Sequence, residues 1–270
     1  MRETPVPRGD IPLHTRIDGV DDPAAPTVVF ANSLGTTLHL WDPVMDLLPK
    51  GIRYIRWDKR GHGQSSVPDG PYTMGQLIGD AEAVCDALDV RDCVFVGLSV
   101  GGMIAQGLAV KRMDIVRAMV LSNTAAKIGT PAIWADRIAT VRAQGLEAMA
   151  GGIMLRWFGP DFCATPAVQP WQQMLIDTPL EGYLGVCAAI SGTDFFTPTS
   201  GLRLPTLGIA GSEDKATPPD LVRETTDLIP GSSFALIRRA GHLPCGEKPE
   251  EYAQILTDFL TRTGTVPHAT

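Results

Sequence analysis

The sequence predicts an α/β fold, with a mostly parallel central sheet flanked by helices on both faces and an inserted helical cap. Three observations predict it. Short apolar, β-branched runs alternate with helical segments through the first half of the chain. The alternation stops between about Thr124 and Leu202 and then resumes. A serine stands between two glycines where an apolar run meets a helical one, in CVFVGLSVGGMIAQ, residues 93–106.

Taken in order, IPLHTRI, PTVVFAN, YIRWD, CVFVGLS and VRAMVLSN read as strands. Between them HLWDPVMDLLPKG, MGQLIGDAEAVCDALDV and GGMIAQGLAVKRMD read as helices. The second of these carries Leu77, Ile78, Ala81, Val84, Cys85 and Leu88 on one stripe at helical spacing. Continuous apolar strands alternating with helices imply a parallel sheet buried on both faces. The middle segment is rich in Ala, Gly, Met, Trp and Pro, and its longest helical piece is PAIWADRIATVRAQGLEAMAGGIMLRWFG. After it LPTLGIAGSED and SSFALIRRAGHLP resume the strand pattern, with ATPPDLVRETTDLIPG helical between them and PEEYAQILTDFLTRT helical at the end. The expected organisation is a core of residues 1–123 and 203–270 interrupted by a cap of residues 124–202, with a frayed tail, GTVPHAT.

Composition narrows the function. A net charge of −7 over 270 residues, with Lys and Arg scattered, provides no basic face for a phosphate backbone, so nucleic acid is not an expected partner. Five cysteines at 85, 93, 163, 187 and 245 match neither a disulfide framework nor a metal-binding spacing and read as reduced thiols. The N-terminus lacks a signal-peptide core, and no later run reaches the roughly 18 apolar residues of a membrane helix. These features predict a soluble cytoplasmic protein.

The serine between glycines carries the chemistry. A sharp turn from strand to helix presents a side-chain oxygen to substrate while backbone N–H groups point at the same spot. It also crowds the residues two before and two after, and Gly97 and Gly101 occupy those positions around Ser99. A serine hydroxyl needs a base to take its proton and a carboxylate to hold that base in one tautomer. On such a turn the acid and then the histidine follow the serine in chain order. Of His14, His39, His62, His242 and His268, His242 lies in the loop after the last strand pattern and fits the base. Glu213 and Asp214 both follow the preceding strand; a short turn after Gly211 favours Asp214, with Glu213 second. The N–H of Val100, next to the serine, and that of Leu34, in the loop after TVVFA, are the expected oxyanion donors. His62, in WDKRGHGQSS, reads as a structural hydrogen-bonding residue.

These residues together resemble the α/β-hydrolase family over nearly the whole chain. FANSLGTTLHLWDPVMDLL, WDKRGHGQSSVPDGPYT, GLSVGGMIAQGLA and SNTAAKIGTPAIWADRI resemble the 3-oxoadipate enol-lactonases of the β-ketoadipate pathway. Many esterases and cofactor-free haloperoxidases share the first three in looser form; the fourth, which opens the cap, is more specific. Asn32 and Ser33 replace the His-Gly usual in the wider superfamily, in the direction of the enol-lactonases. The resemblance implies that Ser99, Asp214 and His242 form the family's triad. It also implies opening of an anionic lactone by water, with no metal or organic cofactor.

An anionic substrate calls for a cation or polar donors from the cap. Lys127, Arg137 and Arg156 are basic candidates there, and Trp134 and Trp157 are candidates for an apolar wall. Trp134 is favoured because it lies in the specific match, and Arg137 sits nearly one helical turn beyond it. The same triad also fits a carboxylesterase, a C–C bond hydrolase, a perhydrolase, or a hydrolase-like module that captures a ligand. A haloalkane dehalogenase is disfavoured, because it needs a carboxylate at position 99.

Overall fold

The computed structural model describes residues 2–266. Its eight-stranded sheet runs β1(Arg2–Val6), β2(Leu13–Gly19), β4(Arg53–Trp57), β3(Thr27–Ala31), β5(Cys93–Leu98), β6(Val116–Ser122), β7(Thr206–Gly211), β8(Ser233–Ile237). From β4 to β8 every neighbour is parallel, while β1 and β2 are antiparallel. Strands β3, β5 and β7 are buried along their whole lengths, as largely apolar runs covered on both faces require, and β4 is buried as well although it carries Arg53 and Arg56.

Strand β1 has no counterpart among the expected strands. RETPV contains one apolar side chain that reaches the core, Val6, and pairs only through its backbone register, Arg2 with Ile17 to Val6 with Leu13. Pro5 is tolerated because the strand lies at the sheet edge, where one side of the ladder needs no partner. The expected helix over residues 39–51 is shorter than read. A 3-10 turn, Leu38–Trp41, leads into one helical turn, Asp42–Met45. The tail expected to fray is docked as far as Val266: Thr265 N–H donates to Leu260 O at 2.8 Å, and Arg117 Nη2 donates to Thr265 Oγ1 at 2.7 Å. The rest of that tail, with His268, lies outside the described residues.

Between Ser122 and Thr206 the chain is helical and contributes no strand. Its longest piece, Pro131–Trp157, breaks at Gly145, whose φ of 78° and ψ of 165° let the two halves change direction. The helix packs against helices Leu180–Ser191 and Gln169–Ile176, and its second half buries Leu146, Ala150, Ile153 and Trp157. On the sheet side, Arg60 anchors the loop after β4: its Nε and Nη2 donate to the buried Asp80 carboxylate at 2.5 and 2.6 Å. Removing one partner of such a pair costs about 3–5 kcal/mol, because a charge is left buried alone.

Candidate active site

The site is assembled at the carboxyl ends of β3, β5, β6, β7 and β8, where an open parallel sheet leaves a crevice. Ser99 follows β5 directly and opens helix Val100–Lys111 with φ 59° and ψ −119°. A non-glycine residue takes that conformation only where its surroundings force it. The turn is as tight as its glycines imply. A Cβ on Gly97 would collide with the Gly101 carbonyl, and one on Gly101 with the Ala31 carbonyl at the end of β3.

His242, in the loop after β8, directs Nδ1 to Asp214 Oδ2 at 2.8 Å, and both side chains are buried. Asp214 is heavily bonded. Oδ2 also accepts from Asn123 Nδ2 at 2.9 Å and Thr217 Oγ1 at 2.8 Å, and Oδ1 accepts from the N–H groups of Ala216 and Thr217 at 2.7 and 3.0 Å. Burial pushes the Asp214 carboxyl up, but the His242 charge and these donors outweigh it and hold the pKa below the ordinary carboxylate value. Asp214 is therefore a carboxylate that fixes the imidazole with Nδ1 protonated and Nε2 free. Glu213 points elsewhere, toward Gly159. Neither the Ser99 hydroxyl nor His242 Nε2 has a hydrogen-bond partner among the described residues, and both groups face one cavity.

The N–H groups of Leu34 and Val100 likewise donate to no acceptor among the described residues. Leu34 sits in a turn held from behind by His62. That fully buried ring accepts the Gly35 N–H on Nε2 at 3.0 Å and lies 3.4 Å from Arg60 O through Nδ1. Burial, helped by the neighbouring Lys59 charge, keeps the pKa of His62 well below its ordinary value, so it is a neutral structural ring.

The cavity holds about 460 Å³. It is lined by Ser33, Leu34, Ser99, Thr217 and His242 from the sheet loops and by Trp134, Arg137, Ile153, Arg156, Trp157 and Tyr183 from the helical segment. Trp134 is fixed by an Nε1–H donated to Ile128 O at 2.6 Å. Arg137 donates from Nη2 and Nε to Tyr183 Oη at 2.9 and 3.3 Å. Arg156 lies at the exposed margin. Lys127 is a correction to the sequence reading: it lies off the cavity, on the surface, with Nζ 3.0 Å from Asp194 Oδ2. Its charge is satisfied there, and nothing in its position turns it inward.

Asn123 and Thr217 escaped the sequence reading although both hold Asp214. Asn123 has a signal of a kind, since it closes the run VRAMVLSN at the carboxyl end of the sheet, where Ser99 also emerges. Glu247 was missed as well. Its carboxylate accepts the Gly241 N–H at 2.8 Å and the Gly159 N–H at 3.2 Å, binding the His242 loop to the helical segment. Among the described residues no group of three His, Cys, Asp or Glu side chains is placed to hold a metal ion, and no helix is long and apolar enough to cross a membrane.

A family model for the alpha/beta hydrolase fold matches residues 26–249. The chain belongs to the α/β-hydrolase family, and it is a hydrolase. It is 34% identical to 3-oxoadipate enol-lactonase 1 of Acinetobacter baylyi over 250 residues, 92% of each chain. Among solved structures it is similar to the enol-lactonase from Burkholderia xenovorans LB400, with 37% identity, a TM-score of 0.89 and coverage of 93% of this chain and 97% of that one. It is also similar to a hydrolase from Pseudomonas aeruginosa PA01, at 35% identity, TM-score 0.90, and 96% and 98% coverage.

Proposed function

We propose that this hydrolase opens 3-oxoadipate enol-lactone with water to give 3-oxoadipate, a step in the breakdown of aromatic compounds, through an acyl-enzyme on Ser99. The observation that carries the reading is the presence, in the lining of one cavity, of Ser99 and His242 from the sheet loops and of the Arg137 guanidinium from the helical segment. A small ester that also carries a carboxylate fits that lining, and the enol-lactonase relatives support the choice of lactone. Residues 124–202 act as the cap over this cavity.

His242 Nε2 takes the Ser99 proton as Oγ bonds to the lactone carbonyl carbon, and the carbonyl π electrons move onto oxygen. The Leu34 and Val100 N–H groups hold that oxyanion, where preorganised donors are worth the most. Collapse breaks the ring C–O bond and expels an enolate, which takes up the proton held by the His242 imidazolium and ends as the ketone, leaving the imidazole neutral. Water, deprotonated by His242, then attacks the acyl carbon, and Ser99 leaves with its proton restored. Asp214 stays ionised and steadies the imidazolium. Arg137, its guanidinium held against Tyr183, pairs with the substrate carboxylate, and Trp134 lines the same cavity. No residue in this scheme calls on a metal or organic cofactor.

The test follows loss of enol-lactone absorbance with the lactone generated in situ. Wild type is expected to consume it rapidly, and Ser99→Ala to be slower by at least about 10⁴-fold. A persisting lactone, with a short aryl ester cleaved instead, would keep the nucleophile and remove the substrate.

A further inference from the structure

We propose that Lys59 is a positioning residue for the oxyanion turn, holding the peptide between Ser33 and Leu34 so that the Leu34 N–H faces the reacting carbonyl. This rests on the reading of Ser99 as nucleophile and Leu34 as oxyanion donor.

Lys59 stands two residues beyond the end of β4 and is 1% exposed. Among the described residues no carboxylate lies within ion-pair distance of its ammonium. Instead Nζ donates to two backbone carbonyls, Ser33 O at 2.6 Å and Thr36 O at 3.1 Å. Burying an ammonium on such partners is costly, and the cost shows in its pKa, which burial pulls down to about 7 against the opposing pull of Asp58. An apolar side chain of similar length would fill the space without that penalty. The charge therefore needs a reason other than packing.

The two carbonyls supply one, because they bracket Leu34 and Gly35. Ser33 O and the Leu34 N–H belong to the same peptide plane, and in a trans peptide they point in opposite directions. Tying the oxygen to Lys59 on the buried side turns the N–H to the other side, toward the cavity that Ser33 and Leu34 line. Thr36 Oγ1 donates to the same Ser33 oxygen at 2.9 Å, and the next N–H, of Gly35, is held by His62 at 3.0 Å. Of the three N–H groups from Leu34 to Thr36, those of Gly35 and Thr36 are taken up by His62 Nε2 and Ser33 O, and that of Leu34 has no partner among the described residues. An ammonium on the carbonyl also polarises the amide and strengthens its N–H as a donor, since hydrogen bonds in series reinforce one another. The groups facing Lys59 are Asp58 beside it and the neutral His62 ring.

The experiment compares wild type with Lys59→Met, and with Lys59→Gln as a second variant that keeps a donor. The probe is a small aliphatic trifluoromethyl ketone. Ser99 Oγ adds to its carbonyl carbon, the serine proton passes to His242, and the carbonyl oxygen becomes an oxyanion in the hole. A short neutral aliphatic ketone, without the fluorines that drive addition, serves as a ground-state ligand that forms no oxyanion. Lys59→Met is expected to bind the trifluoromethyl ketone about tenfold more weakly and to lose kcat by the same factor, part of the hundredfold or more that deleting a whole oxyanion donor costs. KM and affinity for the fluorine-free ketone are expected to stay within about twofold, and Lys59→Gln to fall between. Trifluoromethyl ketone affinity unchanged in Lys59→Met, equal weakening of both ketones, or failure of both variants to fold would each overturn the proposal. Failure of wild type to form the adduct would instead remove the Ser99 reading on which it stands.

Discussion

Two of the three histidine–aspartate pairs among the described residues, the two set into the fold rather than exposed as His39–Asp42 is, share one contact and differ in everything around it. His242 Nδ1 lies 2.8 Å from Asp214 Oδ2, and His14 Nδ1 lies 2.8 Å from Asp58 Oδ2. Beyond the first ring is the cavity with Ser99. Beyond the second is Glu3 on the edge strand, 3.7 Å from an Nε2 that is buried without a hydrogen-bond partner. The carboxylates differ too. Asp214 takes its other bonds from Asn123, Ala216 and Thr217, a shell devoted to orienting it, whereas Asp58 also receives the Leu38 and Gln64 N–H groups and so ties two loops together. Imidazole on carboxylate is thus a structural clasp unless a nucleophile and an open space stand on the far nitrogen.

Replacements sharpen that contrast. Asp214→Asn is expected to lower kcat by about 10³–10⁴-fold, because the amide favours the wrong imidazole tautomer, while Glu213→Gln stays within about twofold. Steady-state kinetics on the lactone and on an aryl ester check both, and equal losses at 213 and 214 would contradict the assignment. Arg137→Met is expected to raise KM for the anionic lactone by about 10–100-fold, the worth of one charge-assisted hydrogen-bonded pair, with a neutral ester of similar size hardly affected. A matched loss on both substrates would make Arg137 a support for Tyr183 and no more.

The smallest effect belongs to the clasp. His14→Gln is expected to leave kcat within about threefold, because nothing reactive lies beyond its ring. Its signature is in stability. The hydrogen bond to Asp58, opposed by burial and aided by the charges of Asp58 and Glu3, raises the His14 pKa above 6.5. The stabilisation is therefore complete below about 6.5 and disappears as pH rises through the folded-state value. The excess melting temperature of wild type over His14→Gln is expected to shrink as pH rises through that value, because the buried His62 and Lys59 titrate alike in both proteins and cancel in the difference.

How far the site could be read beforehand follows the same division. Chain order alone separated His242 from His14, since only one follows both the serine and an acid. The strands after Ser99 are legible for a different reason, VRAMVLSN and LPTLGIAG being largely apolar. Asp214 and Glu213 are adjacent, and their side chains part only because the turn after β7 sends one to His242 and the other to Gly159. That is a property of backbone direction, which residue type does not encode. Strand β1 was invisible because RETPV has neither alternation nor apolar density and exists by pairing with β2. Lys127 illustrates the opposite failure: a basic residue in the right segment carries no information about which way its helix or loop faces, and Asp194, 67 residues later, holds it at the surface. Asn123 and Thr217 act through proximity across the carboxyl end of the sheet, which only the folded chain brings about.

The turn at Ser99 has a consequence for durability. At φ 59° and ψ −119° a side chain of any kind is uncomfortable, by about 1–3 kcal/mol, and glycine alone is not. Ser99→Gly would shed that strain, offset in part by the roughly 0.5–1 kcal/mol that glycine's freedom in the unfolded chain costs, and is expected to melt no lower than Ser99→Ala. Heat resistance and chemistry therefore pull position 99 in opposite directions. A library screened only for survival at high temperature would tend to accept glycine there and return sturdier proteins with nothing left to attack a carbonyl.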